Sequence, residues 1–208
     1  MPKLTDLIPR LVVAAFSACI IASSVSAQQA PTVRIRGTIE SVDGNTLGIK
    51  TREGSDVKVN MTDNVAVFAV VKTSLSEIKE GSYIGVTGMP EPDGTQRAIA
   101  VHIFPENQRG AAEGFRPWDA RANSTMTNAT VAQTVKGTDG QNILMKYKDG
   151  EKNVVVPPDT PIVTFVAGDK SEIKPGAKLI IFAAAKKEDG SLEANRVNVG
   201  RDGITPPM

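Results

Sequence analysis

Few side chains in this 208-residue sequence can act as an acid, a base or a nucleophile near neutral pH. There is one histidine, His102, and one cysteine, Cys19. A nucleophile–histidine triad needs a histidine as its base. His102 stands between Val101 and Ile103 in an alternating segment, so we expect it on the outer face of a strand, opposite the core. A role as ligand or base is the alternative. The sequence therefore predicts no catalytic residue, and a protein that is not an enzyme.

Patterns that bind metals are equally sparse. One histidine and one cysteine cannot supply the ligands of a structural zinc site. Aspartates could bind calcium, but an Asp-Gly pair is typical of a tight turn. Such pairs occur at Asp43-Gly44, Asp93-Gly94, Asp139-Gly140 and Asp189-Gly190. A carboxylate pair such as Glu40 and Glu77 could hydrolyse glycosides only if the fold placed both in one cleft. We expect no metal site and no cofactor.

Basic residues are better candidates for a binding role. Five of them alternate with apolar residues early in the chain, which predicts that they share one outward face. They are Arg34, Arg36, Lys50, Arg52 and Lys58, called the basic stripe below. An anionic partner from the cell envelope would suit this stripe, and a solvated face is the alternative.

A second candidate region contains the only tryptophan. Phe115, Arg116 and Trp118 lie close together in a segment without sustained periodicity. A purely flexible linker has no need of two aromatic rings. We expect these rings to fix the angle between two domains or to contact a partner.

Residues 1–27 have the pattern of a signal peptide. A positively charged start precedes an apolar stretch at 11–22, and small residues lead to Ala27. The apolar stretch is shorter than the roughly 20 residues of a membrane-spanning helix. A retained anchor and acylation at Cys19 are the alternatives. The sequence predicts cleavage after Ala27 and a periplasmic or secreted protein without a membrane span.

Net charge also limits the possible partners. The chain has 24 basic and 23 acidic residues. Removal of residues 1–27 takes away two basic residues and one acidic residue, which leaves equal numbers of each. A neutral balance argues against nucleic acid as the partner, because nucleic-acid binding normally needs a basic surface. It gives no reason to expect an anionic membrane surface either.

An internal repeat organises the rest of the chain. The segment from Val33 to Phe104 reads again from Ala129 to Gly200, about 96 positions later. Each copy has three alternating segments separated by glycine turns, then an apolar run such as Val65–Val71, then two more alternating segments. Period-two alternation is typical of half-buried strands.

A short helix is predicted before the last two strands of each copy. Ser74 and Glu77 match a capping box in the first copy, and Asp169-Lys170-Ser171-Glu172 occupies the same place in the second. Gly81 and Gly176 stand where each helix must end.

This order of elements is that of five-stranded Greek-key barrels of the oligonucleotide/oligosaccharide-binding (OB) type. We therefore expect an all-β protein with two tandem barrels of five to six strands, each with one short helix. They would span 28–104 and 128–200, with a linker at 105–127 and a tail at 201–208. One continuous sandwich made from both copies is the alternative.

Turn and core residues of each copy resemble a known family. In the first copy they are Gly37–Leu47, Leu75–Gly81 and Gly94–Val101, and in the second Val135–Gly140, Ser171–Gly176 and Gly190–Val197. They resemble the bacterial secreted family known only as domain of unknown function 5666. The resemblance implies an OB-like barrel exported to the cell envelope, and it supplies no catalytic residues.

Together these observations predict an exported, non-catalytic binding or interaction protein of the bacterial cell envelope. Its partner would be an envelope protein or a small ligand. The alternative is a protein that binds an anion, a sugar or a cation on the basic face of the first barrel. The oligomeric state is not indicated.

Overall fold

A computed structural model of the chain describes residues 31–138 and 140–208. The predicted signal peptide, Cys19 and Asp139 lie outside the described residues, so cleavage after Ala27 and export stay predictions. The described chain is all-β, as predicted, with short 3-10 turns in place of longer helices. Within these two ranges, no helix is long and apolar enough to cross a membrane.

Twelve strands follow one another along the described chain. They are β1 (Thr32–Asp43), β2 (Thr46–Thr51), β3 (Asp56–Lys72), β4 (Tyr83–Pro90), β5 (Gln96–Ile103), β6 (Gly114–Pro117), β7 (Thr125–Gly137), β8 (Gly140–Tyr147), β9 (Gly150–Val156), β10 (Ile162–Ala167), β11 (Lys178–Lys186) and β12 (Leu192–Gly200).

Five of these strands form a closed barrel, called the first barrel. β1 pairs with β2 and β2 with β3, both antiparallel. β3 pairs in parallel with β12, β12 pairs with β11, and β11 returns to β1. Alternating residues such as Ile39, Leu47 and Ile49 point inward and are buried. The predicted period-two strands are therefore confirmed, because this alternation fills the interior with aliphatic side chains.

A second ring of paired strands contains β4, β5, β7, β8 and β9. β7, β8 and β9 form an antiparallel meander, and β4 pairs with both β7 and β5. Two parallel residue pairs between β5 and β9 complete the ring, Gln96 with Val154 and Arg97 with Val155. The interior holds its own buried cluster, which includes Ile84 and Met145.

Two tandem barrels, each closed by one copy of the repeat, are not confirmed. The meander β1–β3 of the first copy closes with β11 and β12 of the second, and β4 and β5 of the first copy close with β7–β9. Strand β3 runs for 17 residues and merges two predicted strands. It pairs with β12 of the first barrel as far as Val70, and its last five residues, Phe68–Lys72, also pair with β10.

Strand β10 joins the two units. It pairs antiparallel with the far half of β3 and parallel with β5, so one sheet runs through the whole described molecule. The predicted linker 105–127 is partly structured too. It contains β6, which pairs with β7, and the first residues of β7.

The two predicted caps have different outcomes. Asp169 accepts a hydrogen bond from the Ser171 backbone N–H at 2.8 Å, and Glu172 accepts one from the Asp169 backbone N–H at 3.1 Å. Ser74 makes no such bond, so the capping box predicted in the first copy is wrong. Both elements are three-residue 3-10 turns, and in the first the Ser74 hydroxyl contacts the Ser76 hydroxyl at 2.7 Å and not a backbone N–H.

Candidate ligand site between the first barrel and the second ring

A cavity of about 340 Å³ lies at the junction of the two units. Its walls come from β1, β11 and β12 of the first barrel, from β5 and β7 of the second ring, and from β10 between them. The segment between β5 and β7 covers it, with exposed Ala111 and Ala112 at the rim. This volume lies within the range of pockets that bind small molecules.

Aromatic rings form much of the cavity wall. Phe165 of β10 lies 5.6 Å from the ring of His102 and 6.3 Å from that of Phe182. Phe104 lies 4.5 Å from His102, and Trp118 closes another side. Phe165 is buried, and Phe104, Trp118 and Phe182 are half-buried. The cavity therefore has aromatic walls on several sides, which suits a flat molecule.

The same cavity is lined by three arginines: Arg34, Arg116 and Arg196. Among the described residues, its lining includes no carboxylate. Burial lowers the pKa of each of the three guanidinium groups from its ordinary value. All three remain charged, because a guanidinium cannot lose its proton in a protein. The cavity therefore has a positive potential that favours an anion.

Only one of these arginines has an acidic partner. Arg34 contacts Asp119 at 2.8 Å and lies 3.6 Å above the ring of Trp118. Arg116 donates to the backbone carbonyl of Ala112 at 2.8 Å. Within the described part of the chain, no ion pair involves Arg116 or Arg196.

Arg196 is held by neutral groups. It donates to Asn198 at 3.1 Å and to the side chain of Gln108 at 3.3 Å, and it stacks 3.9 Å from the ring centroid of Phe68. These contacts fix the guanidinium but leave its charge without a counter-charge. An anionic ligand would supply the missing counter-charge, and a hydrogen bond between charged groups is stronger than one between neutral groups.

A row of three residues crosses one side of the cavity. Gly85 of β4 lies opposite His102 of β5 and opposite Asn128 of β7. A Cβ at position 85 would overlap both the imidazole and Oδ1 of Asn128. Glycine is thus required here, because only its missing side chain leaves room for both neighbours.

His102 lies on the face of β5 opposite the interior of the second ring, as predicted, but this face is buried and not exposed to solvent. Only 3% of the side chain is exposed. The alternation of β5 correctly places Val101 in the interior of the second ring, but Phe165 of β10 covers the opposite face as well. Burial, and to a smaller extent the charges of Arg116 and Arg196, lower the pKa of His102 to about 3. The imidazole is therefore neutral at physiological pH.

Buried polar atoms without a partner concentrate at this cavity. Five buried side-chain atoms of the described residues make no hydrogen bond: Arg34 Nε, Thr87 Oγ1, His102 Nδ1, Trp118 Nε1 and Asn128 Oδ1. Four of the five belong to residues that line the cavity. Buried polar groups are normally paired, since an unpaired one costs about 1–3 kcal/mol. Such a concentration calls for a functional explanation.

The basic stripe is divided by the fold. Arg34 lines the cavity, whereas Arg36, Lys50 and Arg52 lie along a wider groove beside Ala120 and the C-terminal residues. Lys58 lines neither.

The three members of the stripe along the wider groove are partly neutralised or tied to the backbone. Arg36 contacts Asp119 at 2.8 Å, and Lys50 contacts Asp56 at 2.8 Å. Arg52 contacts Glu53 and the backbone oxygens of Asp119 and Ala120. Burial alone would raise the pKa of Asp119, but the hydrogen bond from Arg36 and the charges of Arg36 and Arg34 hold it at about 2.

The three candidates from the linker have different positions. Arg116 and Trp118 line the cavity. Phe115 is 39% exposed and lies 4.5 Å from the Lys152 ammonium on the other side of β6. Residues alternate across β6, so neighbours in its sequence face opposite ways.

Sequence reasoning missed Asn128, Arg196 and the part played by His102. One signal was present in the sequence. The first copy has His102 where the second has Asn198, and Gly85 where the second has Ile180. Where two copies of one fold differ although the fold does not require it, a specific site is expected in one of them.

Comparisons with known proteins add no assignment. No family model, no curated protein and no solved structure matches this chain. The resemblance to domain of unknown function 5666 therefore stays a prediction. Among the described residues, no group of three or more His, Cys, Asp or Glu side chains is placed to hold a metal ion.

Proposed function

We propose that this protein is a non-catalytic binding protein that takes up a small anion with a flat, aromatic body in the cavity between the first barrel and the second ring. Of the two functions that the sequence predicts, this is closer to the small-ligand alternative. The site differs from that prediction, because it lies between the two units and not on the basic face of one of them.

The observation that carries the proposal is an aromatic cavity lined by Arg116 and Arg196, which pair with no carboxylate of the described residues. Unpaired buried polar atoms are also concentrated in the residues around it. His102 Nδ1, Asn128 Oδ1, Trp118 Nε1 and Arg34 Nε are buried without partners, and all four residues line one cavity. A native fold retains such costs mainly where function needs them.

Charge and shape narrow the class of ligand. Arg116 and Arg196 bring two positive charges that no carboxylate of the described residues neutralises within 4 Å. Phe104, Phe165 and Trp118 offer ring faces and edges to a planar body. Guanidinium groups bind carboxylates and phosphates strongly because their parallel N–H donors match the geometry of those anions.

A matched pair of probes tests the proposal. 2-Naphthoate and the uncharged 2-naphthamide share one ring system and differ in charge. We expect the acid, and not the amide, to raise the melting temperature of the full chain, since a ligand that binds only the native state stabilises it. The effect should weaken as salt is added. An equal shift for both probes, or no shift for either, would contradict the proposal.

Two variants locate the binding site. Arg196→Gln removes a charge from the cavity, and Arg97→Gln removes a charge from the exposed face of β5, outside the cavity. We expect Arg196→Gln to weaken 2-naphthoate binding by about tenfold to a hundredfold, the range of a hydrogen bond to a charged group. Arg97→Gln should leave binding unchanged. Equal losses in both variants would indicate non-specific attraction.

We also propose a finer description of the fold, as two OB-like units, and a location in the cell envelope. Strand order in the first barrel, β1-β2-β3-β12-β11, and in the second ring, β7-β8-β9-β5-β4, supports two OB-like units that have exchanged their last two strands. The charged and apolar pattern of residues 1–27 supports export to the cell envelope. Mass spectrometry of the protein from an envelope fraction tests this, with Gln28 as the expected first residue.

A further inference from the structure

We infer that the ligand carries two negative charges, one for each arginine of the cavity that has no acidic partner among the described residues. The inference rests on the proposed function and deepens it, because it specifies the charge of the flat anion. Two classes of ligand share this charge. An aryl phosphate has both charges on one group, and an aromatic dicarboxylate has one charge on each of two groups.

Positive charges outnumber negative ones at the cavity wall. Arg34, Arg116 and Arg196 line the cavity, and no Asp or Glu of the described residues does. Of the three, only Arg34 contacts a carboxylate of the described chain, that of Asp119 at 2.8 Å. Asp119 lies equally close to Arg36 of the wider groove, so two arginines share its single charge. Arg116 and Arg196 thus leave the wall with two excess positive charges.

Neither of these two guanidinium groups is fully solvated. Both side chains are half-buried, and burial lowers the pKa of both groups from its ordinary value. A charge that is removed from water is costly unless a counter-charge replaces the water. A ligand with one negative charge supplies this counter-charge for one arginine only, whereas a ligand with two negative charges supplies it for both.

Both arginines have hydrogen-bond donors left for a ligand. A guanidinium group has five N–H donors. Arg116 donates to the Ala112 carbonyl at 2.8 Å, and Arg196 donates to the side chains of Asn198 and Gln108. These acceptors are neutral and use only part of each guanidinium group. Anionic oxygens are stronger partners for the remaining N–H groups.

One ligand can lie near both arginines. Arg196 lies 5.6 Å from the ring centroid of Phe165, and that ring lies 5.6 Å from the ring of His102. Arg116 lies 5.6 Å from the ring centroid of Trp118, which also lines the cavity. Burial lowers the pKa of His102 most, and the charges of Arg116 and Arg196 both add to this effect. Both charges therefore reach one residue of the lining, and a ligand beside that residue experiences both.

Two matched pairs of ligands test the inference without any variant. 2-Naphthyl phosphate and 2-naphthyl sulfate share a tetrahedral group and differ by one charge at a pH of about 8, above the second pKa of a phosphate ester, about 6. Naphthalene-2,6-dicarboxylate and its half-amide, 6-carbamoyl-2-naphthoate, share a shape and also differ by one charge. Each compound is titrated calorimetrically into the full chain.

We expect at least one of the two dianions to bind about tenfold to a hundredfold more tightly than its monoanionic partner, the range of a hydrogen bond to a charged group. A preference within the phosphate pair assigns both charges to one group of the ligand. A preference within the dicarboxylate pair assigns them to opposite ends.

Variants then locate the preference in the cavity. Arg116→Gln and Arg196→Gln each remove one positive charge from the wall, and we expect the preference for the dianion to be lost in both. Arg116→Lys should retain it, because the ammonium group keeps the charge. Arg97→Gln removes a charge from the exposed face of β5, outside the cavity, and is the matched control that should leave the preference unchanged. If a variant does not fold, the ligand pairs in the wild type decide the question.

The possible failures are distinguishable. If 2-naphthoate binds and neither dianion binds more tightly than its monoanionic partner, the inference is overturned and the proposed function stands. The same holds if the preference survives Arg116→Gln or Arg196→Gln, since it then arises elsewhere on the protein. If 2-naphthoate and all four compounds of the two pairs fail to bind, the proposed function itself is overturned.

Discussion

The first barrel and the second ring use equivalent positions in opposite ways. Because Gly81 aligns with Gly176, Gly85 of the second ring corresponds to Ile180 of the first barrel, and His102 corresponds to Asn198. Ile180 lies opposite Asn198, just as Gly85 lies opposite His102. One strand pairing thus occurs twice, with different side chains.

In the first barrel these positions are filled and paired. Ile180 is fully buried in a cluster with Phe165 and Met208. Asn198 donates to the Ile180 carbonyl at 3.0 Å and accepts from Arg196 at 3.1 Å. In the second ring, glycine replaces the isoleucine, and His102 keeps a nitrogen without a partner. A repeat can thus keep its packing in one unit while the equivalent place in the other becomes a candidate site.

The largest effect is expected where the first barrel depends on packing. Ile180→Ala leaves a cavity among buried apolar side chains, and such changes cost about 2–5 kcal/mol. Urea denaturation of the full chain measures the loss of unfolding free energy. A loss below about 1 kcal/mol would show that the cluster around Met208 does not pack as described.

The reverse change adds a methyl group to the second ring at position 85. Gly85→Ala should cost about 1–3 kcal/mol, because the new methyl group overlaps the imidazole of His102 and the amide of Asn128. Gly88→Ala in the same strand is the control, since its Cβ would stand 3.2 Å from the nearest atom, the Cβ of Gln96. The two variants are compared by urea denaturation, and equal costs would contradict the special role of Gly85.

His102 should make stability depend on pH, whereas Asn198 cannot. The pKa of His102 is about 3 in the folded protein against an ordinary value of 6.5, so the unfolded chain binds more protons between these values. Stability therefore falls as pH drops below about 6.5, by about 2 kcal/mol between pH 7 and pH 5.

Urea denaturation at several pH values measures this dependence. His102→Asn introduces the residue of the other copy and removes the only histidine. The variant should lose most of the dependence between pH 7 and pH 5. The same slope in the variant and in the wild type would show that another group is responsible.

The smallest effect is expected at the contact between the linker and the first barrel. Asp119 is 52% exposed and pairs with Arg34 and Arg36. Exposed pairs contribute little, so Asp119→Asn should cost less than about 1 kcal/mol. It also removes a negative charge beside Arg34, and we expect 2-naphthoate to bind a few times more tightly. Weaker binding of this probe would contradict the assigned electrostatics.

Local structure was predictable from the sequence to a large extent. Alternation places Ile35, Ile39 and Ile49 inside a barrel, and the structure buries all three. Glycines such as Gly44 and Gly94 adopt positive φ at the predicted turns. These features depend on neighbouring residues only, and a two-residue period is visible in any single strand.

Strand pairing was not predictable in the same way. Both copies have the same apolar pattern. β4 and β5 therefore bury equivalent side chains whether they complete a barrel with β1–β3 of their own copy or with β7–β9 of the other copy. The sequence also divides β3 in two, because Thr62, Asp63 and Asn64 resemble a turn. The structure keeps these residues in one extended strand, as a bulge where the pairing with β12 changes register between Met61 and Ala66.

The candidate site was predictable in part. Arg34, Arg116 and Trp118 were candidates by residue type, and the structure brings them to one cavity. His102, Asn128 and Arg196 were not identified, because alternation cannot reveal that Phe104, and Phe165 of the neighbouring strand β10, pack on the outer face of β5. Only the exchange of strands brings Arg196 of β12 close to His102 of β5.

The most direct test of the central claim uses the single tryptophan, which gives one indole N–H signal in a nitrogen–proton correlation spectrum. Trp118 lines the cavity, and its Nε1 is buried without a partner. Titration with 2-naphthoate should shift this signal in a saturable manner, and 2-naphthamide should leave it in place. If instead the acid shifts only backbone signals of the wider groove around Lys50 and Arg52, with the indole signal unchanged, the cavity between the first barrel and the second ring is not the binding site.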